Sequence, residues 1–114
     1  MSTTATKHHA SRDLQGVEQD LKRTRALPGL RRQAAEERII QRLMPLAASL
    51  ARRYVGRGLA ADDLEQVAYV GLIKSVRGFD PDRGSDFASY AVPTIRGELQ
   101  RHFRDAGWTV RPPR

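Results

Sequence analysis

The fold of this chain is decided by residues 87–103, FASYAVPTIRGELQRHF, in which an apolar residue returns at every fourth position. The recurring positions are Phe87, Ala91, Ile95, Leu99 and Phe103. Side chains at this spacing share one face of an α-helix, so the stretch predicts a long amphipathic helix. Ser85 or Asp86 can cap its start. We expect Pro93 to interrupt this helix and Gly107 to stop it.

A second amphipathic helix is predicted further upstream, from about Leu30 to Val55. Its apolar stripe consists of Ile39, Leu43, Leu46, Leu50 and Tyr54. Pro45 lies inside it and lacks a backbone donor, so we expect either a kink or two abutting helices there. The glycines of residues 56–58, GRG, are expected to end the element. A short helix over residues 14–24 precedes it, weakened by Gly16 and ended by the break at residues 27–29, LPG.

A third helix is predicted between these two. Asp62 or Asp63 can cap it, and acidic groups in a first turn suit the helix dipole. Gly71 allows close packing or a bend. Its apolar side consists of Leu64, Val67, Ala68, Leu72, Ile73, Val76 and Phe79. Residues 79–84, FDPDRG, have the composition of a turn. No stretch alternates long enough for a strand, so the predicted fold class is all-α, a small bundle of three to four main helices.

Charge is unevenly distributed along the 114 residues, whose net charge is +7. Residues 1–58 carry 12 bases and 5 acids, residues 59–82 carry 2 and 5, and residues 83–114 carry 6 and 3. An acidic middle between two basic segments favours two surfaces with different partners, and an uneven but merely solvated surface is the alternative. Arginine, which suits phosphate recognition, supplies 17 of the 20 basic residues.

Several classes of protein are disfavoured by composition. The chain has no cysteine, which excludes disulfides and thiolate metal sites. No uncharged stretch is longer than that of residues 43–51, which is too short to span a bilayer. Residues 1–11 are polar, lack the apolar run of a secretory signal, and are expected to be disordered. We find no nucleophile–base pairing, metal-ligand spacing or phosphate loop, so we expect no enzyme activity, no metal and no cofactor. A cytoplasmic location without membrane contact is the default.

Two candidate interaction surfaces remain. Residues 83–108 combine basic and aromatic groups, as single-stranded nucleic acid requires, and include His102 and Trp108. Arg96, Gln100 and Arg104 follow at four-residue intervals and present one polar face. Phe87 and Phe103 lie on the apolar stripe, so a role in the core is the alternative to contact with bases. Tyr90 fits either role, since its ring could pack against the core while its hydroxyl stays exposed. Another face, on the third predicted helix, is a candidate docking site for a basic protein, and an ordinary solvated helix is its alternative; it consists of Asp63, Gln66 and Lys74.

Three ordered motifs resemble region 2 of bacterial RNA polymerase sigma factors. They are residues 63–74, DLEQVAYVGLIK, residues 79–84, FDPDRG, and residues 87–91, FASYA. The segments that follow, residues 93–99, 101–105 and 108–111, resemble alternative sigma factors of the general-stress and sporulation type, especially actinobacterial ones. The resemblance covers residues 30–114, and residues 12–29 resemble a shortened upstream region. The domains that bind other promoter elements are absent, so we expect one module of a longer factor.

The resemblance implies a function in transcription initiation. The third predicted helix would dock on the β′ clamp helices of the polymerase core, through Asp63, Gln66, Tyr69, Ile73 and Lys74. The turn and last helix would recognise the −10 promoter element and hold its melted non-template strand, with Tyr90 stacking on a flipped adenine. The implied DNA-binding residues are Arg83, Phe87, Tyr90, Thr94, Arg96, Gly97, Gln100, Arg101 and Arg104. The resemblance also implies an anti-sigma partner and association with the nucleoid when polymerase is bound.

Some positions depart from primary sigma factors. Pro93 and Thr94 stand where those factors carry a tryptophan pair that holds the fork open, so melting should be weaker or more dependent on sequence. Gly97 stands where primary factors carry a glutamine that reads a DNA base. Asp86 stands where they usually carry a basic residue. These departures favour the stress and sporulation subgroup. A duplex-DNA-binding helical module of a transcriptional regulator is the alternative function, although it would need a short helix-turn-helix.

Overall fold

The structure, a computed structural model, describes residues 12–110 and the side chains of residues 12–105. It contains the helices α1 (Val17–Arg25), α2 (Gly29–Arg52), α3 (Ala61–Gly78) and α4 (Phe87–Val110), with a 3-10 turn (Pro81–Arg83) before α4. The described residues contain no strand. The all-α prediction with three to four main helices is therefore confirmed. The expected disordered tail, residues 1–11, and residues 111–114 lie outside the described part of the chain.

The core forms around α3, which packs against both α2 and α4. The predicted apolar stripe of α4 is confirmed, because Phe87, Ala91, Ile95 and Leu99 are fully buried. Phe103 is half-buried and packs against the edge of the same core. The shorter α1 packs on α2 and also touches the 3-10 turn. Both ends of that turn are therefore anchored to the core, by Phe79 on one side and by α4 on the other.

The close approach of α3 and α4 depends on Gly71. A Cβ atom built there would lie only 2.8 Å from the Cα of Ile95, which is tighter than real side chains tolerate. Of the two alternatives for this glycine, the structure selects close packing. It lets the central helix approach the backbone of α4 at their crossing point.

Two prolines lie inside continuous helices. Pro45 is within α2 and Pro93 within α4, so two abutting helices at the first and an interruption at the second are both wrong. The carbonyl groups that lose their donors belong to Gln41 and Ser89, which are exposed, so water can replace the missing bond. The predicted stop at Gly107 is also wrong, because α4 continues past it. A glycine inside a helix costs only about 0.5–1 kcal/mol relative to alanine.

Two helix starts differ from prediction. The N-cap of α3 is Ala60, with no side-chain cap, so the capping roles predicted for Asp62 and Asp63 are wrong. Both acids instead lie in the first turn, where their charge suits the helix dipole. Residues 12–14 are also helical, but a turn at residues 15–16, where Gly16 adopts a left-handed conformation with φ of 73°, separates them from α1, which begins at Val17.

The turn before α4 is held by short-range side-chain bonds. The Asp80 carboxylate accepts a hydrogen bond from the Asp82 amide at 3.0 Å, and Gly84 takes a φ of 81°. Asp86 then caps α4 by accepting bonds from the amide and the hydroxyl of Ser89, at 3.1 and 2.7 Å. These bonds from Ser89 hold the pKa of Asp86 below its usual range. The turn predicted from composition and the Asp86 cap are confirmed.

Candidate functional site

The outer face of α3 carries the residues predicted to dock on a protein. Asp63, Gln66 and Lys74 are exposed, whereas Tyr69 and Ile73 are half-buried. None of the five is among the fully buried residues of α3, although the Tyr69 side chain packs against the core. The structure therefore brings these residues together on one side of a single helix, with polar groups outermost and two larger side chains at its base.

Tyr69 is held in place on this face. Its hydroxyl lies 3.3 Å from a carboxylate oxygen of Glu65, one turn earlier, and donates to it. Burial, together with the negative charge of Glu65, raises the pKa of Tyr69. The ring therefore stays neutral and offers an uncharged, partly apolar surface to a partner.

The two predicted surfaces meet at Glu98. Lys74, assigned to the docking face, forms an ion pair with Glu98 at 2.8 Å. Arg101, assigned to the DNA face, lies 3.7 Å from the same carboxylate oxygen. Glu98 thus ties α3 to α4 and lies on the boundary between the two surfaces.

An aromatic cluster occupies the junction between α3 and α4. Phe79 lies between Phe87 and Tyr90, with ring centroids 5.4 and 5.8 Å away. Phe87 is fully buried, so of its two predicted roles it has the core role, and its side chain presents no surface for DNA. Tyr90 remains 39% exposed. Its hydroxyl occupies the space above Gly78, where a Cβ would lie only 2.6 Å from the oxygen.

Beyond Tyr90, the outer face of α4 is polar and basic. Arg96, Gln100 and Arg104 are exposed, in line with their four-residue spacing. Thr94 is half-buried and donates its hydroxyl to the Tyr90 carbonyl at 2.8 Å. No atom lies within 4 Å of a Cβ built at Gly97, so this position leaves a gap on the face.

The remaining predicted contacts lie at the ends of this face. Arg83 is 81% exposed in the 3-10 turn and lies 3.5 Å from the Asp80 carboxylate. His102 is half-buried and lines a cavity of about 180 Å³ between α3 and α4. The side chain of Trp108 lies outside the described residues.

Helix α1 contributes contacts that the sequence pattern did not reveal. The Glu18 carboxylate accepts a hydrogen bond from the Phe87 amide at 2.7 Å, which supplies an acceptor at the start of α4. Arg25 donates to the carbonyls of Arg77 and Phe79, at the end of α3. α1 therefore bridges both sides of the turn next to Tyr90. The acidic residues of α1 lie in its first turn and the basic ones in its last, and this pattern does not identify partners so distant in sequence.

α1 is itself fastened to α2 by an ion pair. Arg42 donates to the Asp20 carboxylate at 2.7 Å, and Arg23 binds the other oxygen of that carboxylate. These bonds, that of Arg42 foremost, hold the pKa of Asp20 below its usual range. Lys22 adds an exposed ion pair to Asp82 of the turn at 3.6 Å.

Within residues 12–105, no group of three histidine or acidic side chains is arranged to hold a metal ion. None of the helices described above has a long enough apolar stretch to cross a lipid bilayer.

Comparison with known proteins identifies relatives. The family model described as Sigma-70 region 2 matches residues 39–109. The RNA polymerase sigma factor SigF of Mycobacterium tuberculosis is 55% identical over 82 residues, which are 72% of this chain and 31% of that protein. The RNA polymerase sigma-F factor of Bacillus subtilis is 44% identical over 75 residues, 66% of this chain and 29% of the relative. The chain thus spans about a third of their length. No solved structure matches.

Proposed function

This chain belongs to the sigma-70 region 2 family, and from that premise we propose that it acts as the −10 promoter-binding module of an alternative sigma factor. In this function, α3 docks on the β′ clamp helices of RNA polymerase, and α4 with its preceding turn binds the melted non-template strand. The observation that carries the proposal is the position of Tyr90. Its ring rests on Phe79, its face is partly exposed, and a polar, arginine-bearing helix surface continues from it.

The proposed strand contact requires an aromatic platform. Extruding a base from a duplex costs a few kcal/mol of stacking, and a protein ring can replace part of that stacking. Tyr90 suits this role because Phe79 and the space above Gly78 fix its ring from behind. Arg83, Arg96, Arg101 and Arg104 then contact phosphates, and Gln100 faces the upstream edge of the element. Phe87 supports the platform from within the core.

The proposed polymerase contact uses the neighbouring face, on α3, which meets the DNA surface at Glu98. Asp63 and Gln66 stand at the exposed start of α3, and the neutral Tyr69 ring and Ile73 lie at its base. Acidic and amide groups on this helix suit a partner that presents basic side chains. Binding energy from both surfaces, rather than a chemical step, melts the promoter, and no cofactor takes part. An anti-sigma protein that covers these surfaces and a cytoplasmic, nucleoid-associated location complete the proposal.

The duplex-binding alternative is not favoured. A regulator of that class inserts a short recognition helix into the major groove. Here α4 has 24 residues, and its first turn is joined to α3 and α1 rather than projecting from the bundle. The relatives named above are all sigma factors.

A pair of single substitutions tests the two surfaces separately. We expect Tyr90→Ala to weaken binding of a labelled −10 non-template strand by about 5- to 150-fold, from the usual 1–3 kcal/mol per stacked base. It should leave affinity for a β′ clamp-helix fragment unchanged. Gln66→Ala should have the converse effect. Fluorescence anisotropy gives both affinities, and circular dichroism verifies that each variant folds.

The choice of DNA probes decides between the functions. The −10 strand, its duplex and a scrambled strand are compared in the presence of the clamp fragment. Equal affinity for all three contradicts the sigma function, and a preference for the duplex supports the alternative regulator. If folded Tyr90→Ala and Gln66→Ala variants lose both activities equally, the division into two surfaces is wrong.

A further inference from the structure

A basic groove lies where the end of α2 meets the middle of α4. Its volume is about 530 Å³. It is lined by Arg53, Tyr54, Arg57, Arg96, Gln100 and Phe103. Three of these six side chains are guanidinium groups and none is a carboxylate. The lining thus combines positive charge with flat apolar surface, the chemistry that a sugar-phosphate chain requires.

The floor of the groove is an aromatic pair. The rings of Tyr54 and Phe103 have centroids 5.3 Å apart and are tilted by 34°. The guanidinium of Arg57 lies over the Tyr54 ring, 5.5 Å from its centroid. A cation–π contact of this kind holds the arginine in place and leaves its N–H donors available.

The loop after α2 is shaped to present Arg57. Gly56 and Gly58 on either side have φ values of 93° and 97°, which other residues rarely adopt. This pair of glycines, which the sequence marked only as the end of a helix, therefore turns the chain so that Arg57 lies above the groove.

The arginines of the groove have no acidic partner in the described part of the chain. Among residues 12–105, neither Arg53 nor Arg57 nor Arg96 forms an ion pair or a side-chain hydrogen bond. Arg42 and Arg101, in contrast, face carboxylates on neighbouring elements. Three guanidinium groups thus line one groove that contains no carboxylate, so an anion bound there would meet only positive charge.

The groove is continuous with the proposed DNA surface. Arg96 and Gln100 line it and also belong to the outer face of α4. We propose that the groove binds the phosphodiester backbone of promoter DNA next to the stretch held by α4, with Arg53 and Arg57 as additional phosphate contacts. This inference rests on the proposed function and extends the DNA site to the loop between α2 and α3.

Salt dependence of DNA binding tests this site. Arg53→Gln, Arg57→Gln and the double variant are compared with Arg31→Gln, an exposed arginine at the far end of α2 that does not line the groove. Each phosphate contact contributes about 0.7–0.9 to the slope of log K against log salt. Each groove variant should therefore lose about that much slope. Its affinity deficit should shrink roughly threefold between about 50 and 200 mM salt, and that of the double variant roughly tenfold.

Three labelled probes locate the backbone involved. They are the −10 non-template single strand, the same strand in a fork with upstream duplex, and the full duplex. If the groove substitutions weaken binding of the single strand, the groove contacts the melted strand. If they weaken binding of the fork alone, it contacts the upstream duplex. Either result supports the proposal. Arg57→Lys, which keeps the charge, should retain most of the slope.

The outcomes also separate this inference from the function on which it rests. If groove variants bind every probe with the affinity and slope of Arg31→Gln, while binding still depends on Tyr90, the groove does not bind DNA and an acidic protein partner becomes the alternative. If the wild-type chain shows no preference among the probes and no dependence on Tyr90, the proposed function itself fails.

Discussion

Replacing Gly71 by alanine should force α3 and α4 apart. The new Cβ would lie 2.8 Å from the Cα of Ile95, 3.2 Å from its Cγ1 and 3.3 Å from the Cγ of Glu98. Glu98 is flexible and can move, but the Cα of Ile95 belongs to the backbone of α4. The overlap is therefore relieved only by shifting one helix against the other, which loosens the packing of the core around Ile95.

Two opposing terms set the size of the effect. Alanine in a helix interior is favoured over glycine by about 0.5–1 kcal/mol. Overpacking a close contact costs about 1–3 kcal/mol. We expect a net loss of roughly 1 kcal/mol in the free energy of unfolding. For a domain of this size, that loss lowers the melting temperature by about 4–8 °C.

Gly97 provides a matched control on the facing helix. It is also a helical glycine, but a Cβ added there would have no atom within 4 Å. Gly97→Ala should therefore gain about 0.5–1 kcal/mol from helix propensity alone. Urea unfolding followed by far-UV circular dichroism gives both values, and their difference isolates the overpacking cost of about 1–3 kcal/mol. Equal stabilisation by the two substitutions would refute the close approach of α3 and α4.

Three further substitutions have defined outcomes. Glu18→Ala should lower the unfolding free energy in urea by about 1–3 kcal/mol because a charged acceptor is lost at the start of α4; Glu18→Gln should lose less, and equal losses would contradict this. Arg42 lowers the pKa of Asp20, so the wild-type chain should be more stable than Asp20→Asn by an amount that is complete above the unfolded carboxyl pKa of about 3.9. This stability difference should disappear as pH falls through the lower pKa of the folded state. Urea titrations at stepped pH measure the difference, and a value that does not change with pH would contradict the prediction. Gly78→Ala should displace the Tyr90 hydroxyl and weaken single-strand binding in anisotropy titrations, with the fold kept; unchanged affinity would show that the ring position is unimportant.

The helices could be predicted from the sequence because their signal is local. The four-residue recurrence from Phe87 to Leu99 records which side chains face the core, and the structure buries all of them. Proline gave a wrong signal at Pro45 and Pro93, since a single missing donor on a solvent-facing side costs less than breaking a well-packed helix. Local preference was outweighed there by tertiary packing.

The tertiary parts of the site were not predictable from spacing. Glu18 meets the Phe87 amide across 69 positions, and Arg25 reaches the Phe79 carbonyl across 54. Such pairs depend on how α1 lies on the finished bundle, which no local pattern encodes. The groove is similar, because Arg57 and Arg96 come from separate elements and meet only after folding. The docking and DNA roles of individual residues stay predictions.

The bonds that α1 makes on either side of the turn determine which segment of the chain must be exchanged as a whole when two such factors recombine. The family match covers residues 39–109, and α1 lies entirely before it. A chimera that exchanges only the matched segment between two factors would receive a turn whose acceptor and donor remain behind in the parent. These bonds end on backbone groups, so a transplanted turn of any sequence can form them, provided that the recipient's α1 supplies the same two side chains as Glu18 and Arg25. Recombination that keeps residues 17–110 intact always meets this condition and should be tolerated better than recombination at the family boundary.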